Sequence, residues 1–299
     1  MDLIVETDIG RDPDDFFAIC YLVAAGINIR AITISPGDQD QVAVAKFLCT
    51  QLGLNIPVGV ADVNRQKSSV GGMHTAMLKK YGFTLRHPSD GQGWAVIRDT
   101  MESYPDSELF IIGPPQSVGA YLEGPWVVHR PFYQIWMQGG FVGYDVHQHP
   151  VKVRLPKFEG KRSVGTFNMN GDVVGTQRIL ALPGVARHFI GKNVCHTIEY
   201  DRARHAKVTA VPPQNRAMEL LHEGMTMYLA KHDKKLFHDP AAAVCMLHPE
   251  IGTWINGTLF REGSGWGTEY VPPRTPGKTD QMLVDIDYDR LWQHVTEGS

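Results

Sequence analysis

Five carboxylates fall within ten residues near the start of the chain. They are Glu6, Asp8, Asp12, Asp14 and Asp15, in the segment Glu6-Thr7-Asp8-Ile9-Gly10-Arg11-Asp12-Pro13-Asp14-Asp15. Carboxylates this crowded repel one another unless a proton or a cation relieves them. Oxygen-only ligands at such density suit a hard cation, calcium or magnesium, rather than zinc. Gly10 lets the backbone turn tightly and Pro13 stiffens the approach to the next element. The plainer alternative is that Asp12, Asp14 and Asp15 cap a helix and complement its dipole. That accounts for one or two of the acids but not for Glu6 and Asp8 as well.

The elements around the loop say where it sits. Leu3–Val5 reads as a strand and Asp14 through Ala25 as a helix, so the acids lie at the carboxyl edge of a sheet, where open α/β folds bind ligands. Ile29–Ile34, Val58–Val60, Leu109–Ile112 and Ile135–Met137 continue the strands. Gln41–Leu52 is a second helix, and Ser117 is the expected N-cap of a third over Val118–Leu122. Strands alternating with helical patterns predict parallel β-α-β units. Phe141 to Arg162 reads as a long loop or projecting hairpin. Further on, Arg216–Lys231 and Ala241–Leu247 are helical, strand pieces lie between Trp254 and Asp287, and Leu291–Val295 is a last short helix. No repeat, low-complexity tract or composition break marks a linker. The expectation is an α/β protein, a single domain over residues 1–299 with an open, mostly parallel sheet flanked by helices.

Bulk properties exclude several functions. A net charge of -3 gives no overall attraction to nucleic acid or anionic membranes; only Lys152 to Arg162 is locally basic. Cys20, Cys49, Cys195 and Cys245 show no C-x-x-C spacing and read as core thiols. The acidic N-terminus fits no signal peptide, and no apolar run is long enough to span a bilayer. A cytoplasmic protein with no membrane partner is the expectation, and a homo-oligomer is compatible with it.

The loop resembles the D-x-D-x-G-x-D-D signature of the inosine–uridine-type nucleoside hydrolases, with Glu6, Asp8, Gly10, Asp14 and Asp15 at the corresponding positions and Phe16-Phe17-Ala18 entering the helix. Glu6 stands where the first Asp is usual, and the loop is longer by two residues before the paired acids, as in divergent branches. Later segments resemble the family in the same order. Pro36-Gly37-Asp38 matches a G-N turn with Asp for Asn, and Gly71-Gly72-Met73-His74 a loop near the sugar. Gly113-Pro114-Pro115-Gln116-Ser117 matches the G-P-L-T-N turn. Thr166-Phe167-Asn168 matches the E-F-N segment with Thr for Glu, and His238-Asp239-Pro240 the late H-D-P motif. Gly277-Lys278 before Leu283–Asp287 fits the closing strands. Each has an ordinary reading beside it: Asp239 before a proline is a common helix start, His74 a solvated loop histidine, and the Gly113–Ser117 segment a plain strand-to-helix turn.

The resemblance implies calcium-dependent hydrolysis of an N-glycosidic bond in a small nucleoside-type substrate. It assigns Asp8 as general base and metal ligand, with Asp15, Asp239 and the Gln116 carbonyl completing the metal shell. Asp14, Asp38, Asn168, Thr166 and His74 would bind substrate, and His238 would protonate or hydrogen-bond the leaving base. Three alternatives stand beside it. A 5′-modified or phosphorylated nucleoside is suggested by Thr166 in place of Glu, with Lys152, Arg154, Lys157, Lys161 and Arg162 nearby in sequence; those basic residues equally suit a solvated surface. A homologue that binds metal and sugar without turnover is the second. A magnesium-dependent phosphotransferase with Asp8 as nucleophile is the third.

Overall fold

Short apolar runs rich in β-branched residues fold as strands buried on both faces. The structure is a computed structural model that describes residues 1–125, 132–143, 155–272 and 280–299. Its strands are β1 (Asp2–Thr7), β2 (Asn28–Ile34), β3 (Val58–Val60), β4 (Gly91–Gln92), β5 (Glu108–Ile111), β6 (Gln134–Gln138), β7 (Ser163–Val164), β8 (Ala186–Ile190), β9 (Glu199–Asp201), β10 (Lys234–Leu236), β11 (Gly252–Glu262), β12 (Gly265–Tyr270) and β13 (Asp280–Ile286). Eleven of them form one sheet in the order β4-β3-β2-β1-β5-β6-β8-β13-β11-β12-β7, while β9 and β10 pair separately. From β4 to β13 every neighbour is parallel. Beyond β13 the sheet turns antiparallel.

Successive side chains of β1 go to opposite faces. Leu3 and Val5 join a core with the helices Asp14–Ala24, Arg216–Leu229 and His238–Leu247, whereas Ile4 joins a second core with Leu109, Ile111, Ile135 and Met137. Helices therefore cover the sheet on two sides. The expected elements are present with ends shifted by a few residues, and the α/β, mostly parallel architecture is as expected. Ser117 differs. The helix Gln116–Glu123 has Pro115 at its N-cap and no side-chain capping bond, because the Ser117 N–H donates instead to Glu6 Oε1 at 3.1 Å. Of the expected loop or hairpin at Phe141–Arg162, residues 144–154 lie outside the described residues, as does Gly277-Lys278; Pro156–Phe158 is a short 3-10 turn.

Order reverses at β1, which has β2 on one side and β5 on the other. A crevice opens at such a switch point, outside the carboxyl ends of the strands. Main-chain N–H groups of Ile112 and Gly113 both donate to the Glu6 carbonyl, at 2.8 and 3.2 Å, so the ends of β1 and β5 meet closely. A Cβ on Gly113 would lie 2.5 Å from both the Asp8 nitrogen and the Thr7 carbonyl carbon. Gly113→Ala is accordingly expected to cost about 1–3 kcal/mol through forced backbone movement and to displace Asp8. Chemical denaturation checks it, and wild-type stability in the variant would contradict the close approach.

Candidate active site

The loop after β1 is held by its own backbone and hydroxyls. Thr7 Oγ1 donates to Asp15 Oδ1 at 2.5 Å, and the Asp8 N–H reaches the same oxygen at 3.2 Å. Gln41 Nε2 donates to the Asp8 carbonyl at 3.1 Å. Gly10, at φ +155°, leaves room beside Gln41 and Ser69 and accepts from the Gly71 N–H at 3.2 Å. Glu6 lies below this layer with its side chain fully buried, accepting from Thr33, from Ser35 Oγ at 2.5 Å and from the Ser117 N–H. Burial pushes its carboxyl up to about 7 against those bonds. It supports the loop from beneath.

Asp14 and Asp15 open the helix Asp14–Ala24, whose N-cap is Pro13 with no side-chain capping bond, so capping does not account for these acids. Carboxylate oxygens of Asp14, Asp15 and Asp239 all come within 4.8 Å of one another, with the three residues buried. Burial, then repulsion from neighbouring acids, raises Asp15 and Asp239 well above the ordinary carboxylate range. Asp8 is pushed up to about 8 by burial and by Asp14 and Asp12. A divalent cation is the natural partner for three buried oxygens that repel in this way, and the donor set fits a hard one.

A cavity of about 1170 Å³ opens over this floor. Of the expected site residues, Asp8, Asp14, Asp15, Thr166, Asn168, His238 and Asp239 line it. Asn168 Nδ2 donates to the carbonyls of Ile112 and Gln138 and to Gln138 Oε1, at 3.1, 3.0 and 2.9 Å, which turns its amide oxygen toward other donors. His238 has Nδ1 3.6 Å from Asp14 Oδ2 and its ring stacked on His196 with centroids 4.9 Å apart. Burial and the ammonium groups of Lys235, Lys192 and Lys157 lower His238 to about 4, so at neutral pH it is an uncharged imidazole.

Three of the expected residues, Asp38, His74 and Gln116, are placed outside the cavity lining. Asp38 is 2% exposed and is spent on structure: its carboxylate caps the helix Gln39–Leu52 in a reciprocal box with Gln41 and accepts from the Ser69 N–H at 2.7 Å. It does not line the cavity. His74 is buried in the helix Gly72–Lys80 beside Phe16, its ring centroid 5.7 Å away, and is likewise not a lining residue; burial lowers it to about 4. Gln116 is in the first turn of its helix, outside the cavity lining. From this stretch Ile112, just before the turn, and Pro114 line the cavity, and the Ile112 carbonyl already accepts from Asn168.

Sequence reading missed Lys235. Its side chain is 5% exposed, with Nζ 2.6 Å from Asp12 Oδ1 and 3.3 Å from Asp14 Oδ2. Those partners raise its pKa despite burial. Nothing in the Lys234-Lys235 pair says which one turns inward; only the pairing of β10 with β9 decides it.

A switch-point crevice, a buried carboxylate cluster that could hold a metal ion and a roomy cavity over it together fit a site that acts on a small molecule. The family described as inosine-uridine preferring nucleoside hydrolase matches residues 3–293. The chain belongs to that family and is an N-ribosyl hydrolase of the glycosidase class. An uncharacterized protein of Aquifex aeolicus (strain VF5) is 25% identical over 276 residues, 86% of this chain and 87% of that protein. In fold, the chain is similar to a plant nucleoside hydrolase (TM-score 0.73, 18% identity, 99% of this chain and 98% of that one). It is also similar to the inosine-uridine preferring nucleoside hydrolase of Bacillus anthracis (TM-score 0.70, 12% identity, 99% and 98%). A third similar fold is the purine-preferring ribonucleoside hydrolase of Gardnerella vaginalis (TM-score 0.69, 17% identity, 100% and 98%). Membership removes the phosphotransferase alternative. No helix among the described residues is long and apolar enough to cross a membrane.

Protons held by the floor make cation binding depend on pH. Asp8 has an ordinary value of 3.8 and a folded value of about 8. Between those values the cation-free folded chain holds a proton that the unfolded chain has released, so its stability falls as pH rises through that window. A cation competes with the same protons. The rise in Tm on adding calcium chloride over EDTA is therefore expected to grow from pH 6 to pH 8; a rise that is flat or shrinks would contradict the protonated floor. Asp38→Ala is expected to cost about 1–2 kcal/mol as a lost cap, read by urea denaturation, and an unchanged midpoint would count against its structural role.

Proposed function

We propose that the protein is a calcium-dependent hydrolase that cleaves the N-glycosidic bond of a nucleoside, releasing base and ribose. The single observation that carries this reading is the convergence of Asp14, Asp15 and Asp239 beside Asp8 on the floor of the cavity, in a chain of this family. Asp15 and Asp239 would hold the ion together with Asp14 or Asp8, and the Ile112 carbonyl replaces that of Gln116 as the main-chain candidate. When bound, a divalent cation supplies Lewis acidity toward water and toward the sugar hydroxyls.

The side chains supply the remaining chemistry. Breaking a ribosyl C–N bond passes through an oxocarbenium-like transition state, which needs an activated water on one face of the sugar and assistance to the base leaving from the other. Asp8 is the general base, a carboxylate once a cation offsets its neighbours. Asn168 is oriented by three bonds from its Nδ2 and offers its oxygen to a sugar hydroxyl. Asp14, which the buried Lys235 holds at 3.3 Å, lies on the same floor. His238, neutral at pH 7, fits a hydrogen bond to the departing base better than transfer of a proton from an imidazolium.

Asp8→Asn is expected to lower kcat for base release by about a hundredfold or more. Its cation-free Tm should hold or rise, because one repelling carboxylate is gone. Near-normal turnover would sink the assignment. Asp239→Asn should reduce bound calcium by elemental analysis, and unchanged calcium content would remove it from the metal shell. Tight ribose binding with no base release from any nucleoside would instead support a binding protein that has lost turnover.

A further inference from the structure

The cavity lining carries basic side chains on three segments, Arg11 in the loop after β1, Arg65 with Lys67, and Lys192, but carboxylates on only two. All five lining carboxylates, Asp8, Asp12, Asp14, Asp15 and Asp239, come from the loop after β1 and from the helix His238–Leu247. The wall made by residues 165–168 and by the segment Lys192–His196 contributes none. There Lys192 directs Nζ to the Gly165 carbonyl at 2.6 Å, against the peptide that leads into Thr166. Among the described residues no carboxylate pairs with Lys192. Thr166 is 2% exposed, lines the cavity, and its hydroxyl is buried with no hydrogen-bond partner. A second ammonium, Lys157, reaches His196 Nδ1 at 2.6 Å beside them.

We propose that Lys192 and Thr166, with Lys157 behind them, form a subsite for a phosphate on the 5′ carbon of the substrate's sugar. The inference rests on the nucleoside-hydrolase reading of the same site. If the floor takes the vicinal hydroxyls of a ribose, the 5′ carbon is the remaining position on the sugar where such a group can be attached. Among the described residues neither ammonium pairs with a carboxylate, and burial of Lys192 together with Lys157 lowers its pKa. A phosphate offers Lys192 and the idle Thr166 hydroxyl an anionic acceptor, with Lys157 adding positive charge from behind. A neutral hydroxymethyl group would leave the two charges uncompensated. The reacting bond is unchanged: water adds at C1′, the C1′–N bond breaks, and the base leaves with a proton while the phosphate stays on the sugar. Of the basic stretch considered from sequence, Lys157 lies behind this wall against His196 and does not itself line the cavity. Arg162 pairs with Glu269 at 2.9 Å on the surface, and Lys152 and Arg154 lie outside the described residues.

The test is base release by the calcium-loaded protein from inosine, uridine and their 5′-monophosphates, beside equilibrium binding of ribose 5-phosphate and ribose. Both monophosphates are expected to show a kcat/KM at least about tenfold above the nucleosides, the scale of one charge-assisted bond. Ribose 5-phosphate should bind tighter than ribose by a similar factor. Lys192→Met should erase both ratios, Lys192→Arg should retain most of them, and Thr166→Val should reduce them. Nucleosides cleaved as well as or better than monophosphates, with ribose 5-phosphate binding no tighter than ribose, would overturn the subsite and leave the hydrolase reading standing. Ratios unchanged in Lys192→Met would overturn the assignment of Lys192. Base release from none of the four compounds would overturn the hydrolase reading, and the subsite with it.

Discussion

Repulsion among carboxylates gathered where β1 ends is the constraint on which the rest of the structure depends. Asp8, Asp14, Asp15 and Asp239 are brought together in a setting where each raises the cost of ionising the others. The surroundings offset that cost locally. Lys235 enters from β10 to meet Asp12 and Asp14, Thr7 donates to Asp15, and Glu6 is kept apart below by three donors of its own. What remains is a deficit of positive charge that a divalent cation fits.

Parallel topology makes the gathering possible. Because β1 is flanked by β2 and β5, the loops leaving β1 and β5 run to opposite sides and open a crevice between them. Gly113 lets the two strand ends approach, and the helix His238–Leu247 packs against the helix Asp14–Ala24 so that Asp239 reaches the first loop. The acid floor, neutral His238 and the wall that carries Lys192 then face a common cavity.

Much of this was legible in the chain. Elements such as β3 (Val58–Val60) and the helix Asp14–Ala24 were readable because a short apolar run between turn residues, or an apolar run after an acid pair, carries its own local signal. The acid loop was readable for a related reason, since no local structural need calls for five acids in ten residues. At other positions the same local signal serves two purposes. Asp38 after Gly37 looks like a ligand to a sugar, yet it is a helix cap. His74 after two glycines looks exposed, yet the helix turns it against Phe16.

By itself the sequence determined the family, the parallel α/β class and the crowding of acids after the first strand, because these depend on residue type, order and local spacing. Only the tertiary structure decided how they are shared out. That Asp14 joins Asp15 and Asp239, that Ile112 rather than Gln116 lines the cavity, and that Lys235 is the buried lysine of its pair all depend on which strands are neighbours. So does the meeting of Lys192 with Gly165 across 27 residues of chain. Distances between residues far apart in sequence are set by packing, and local spacing carries no record of them.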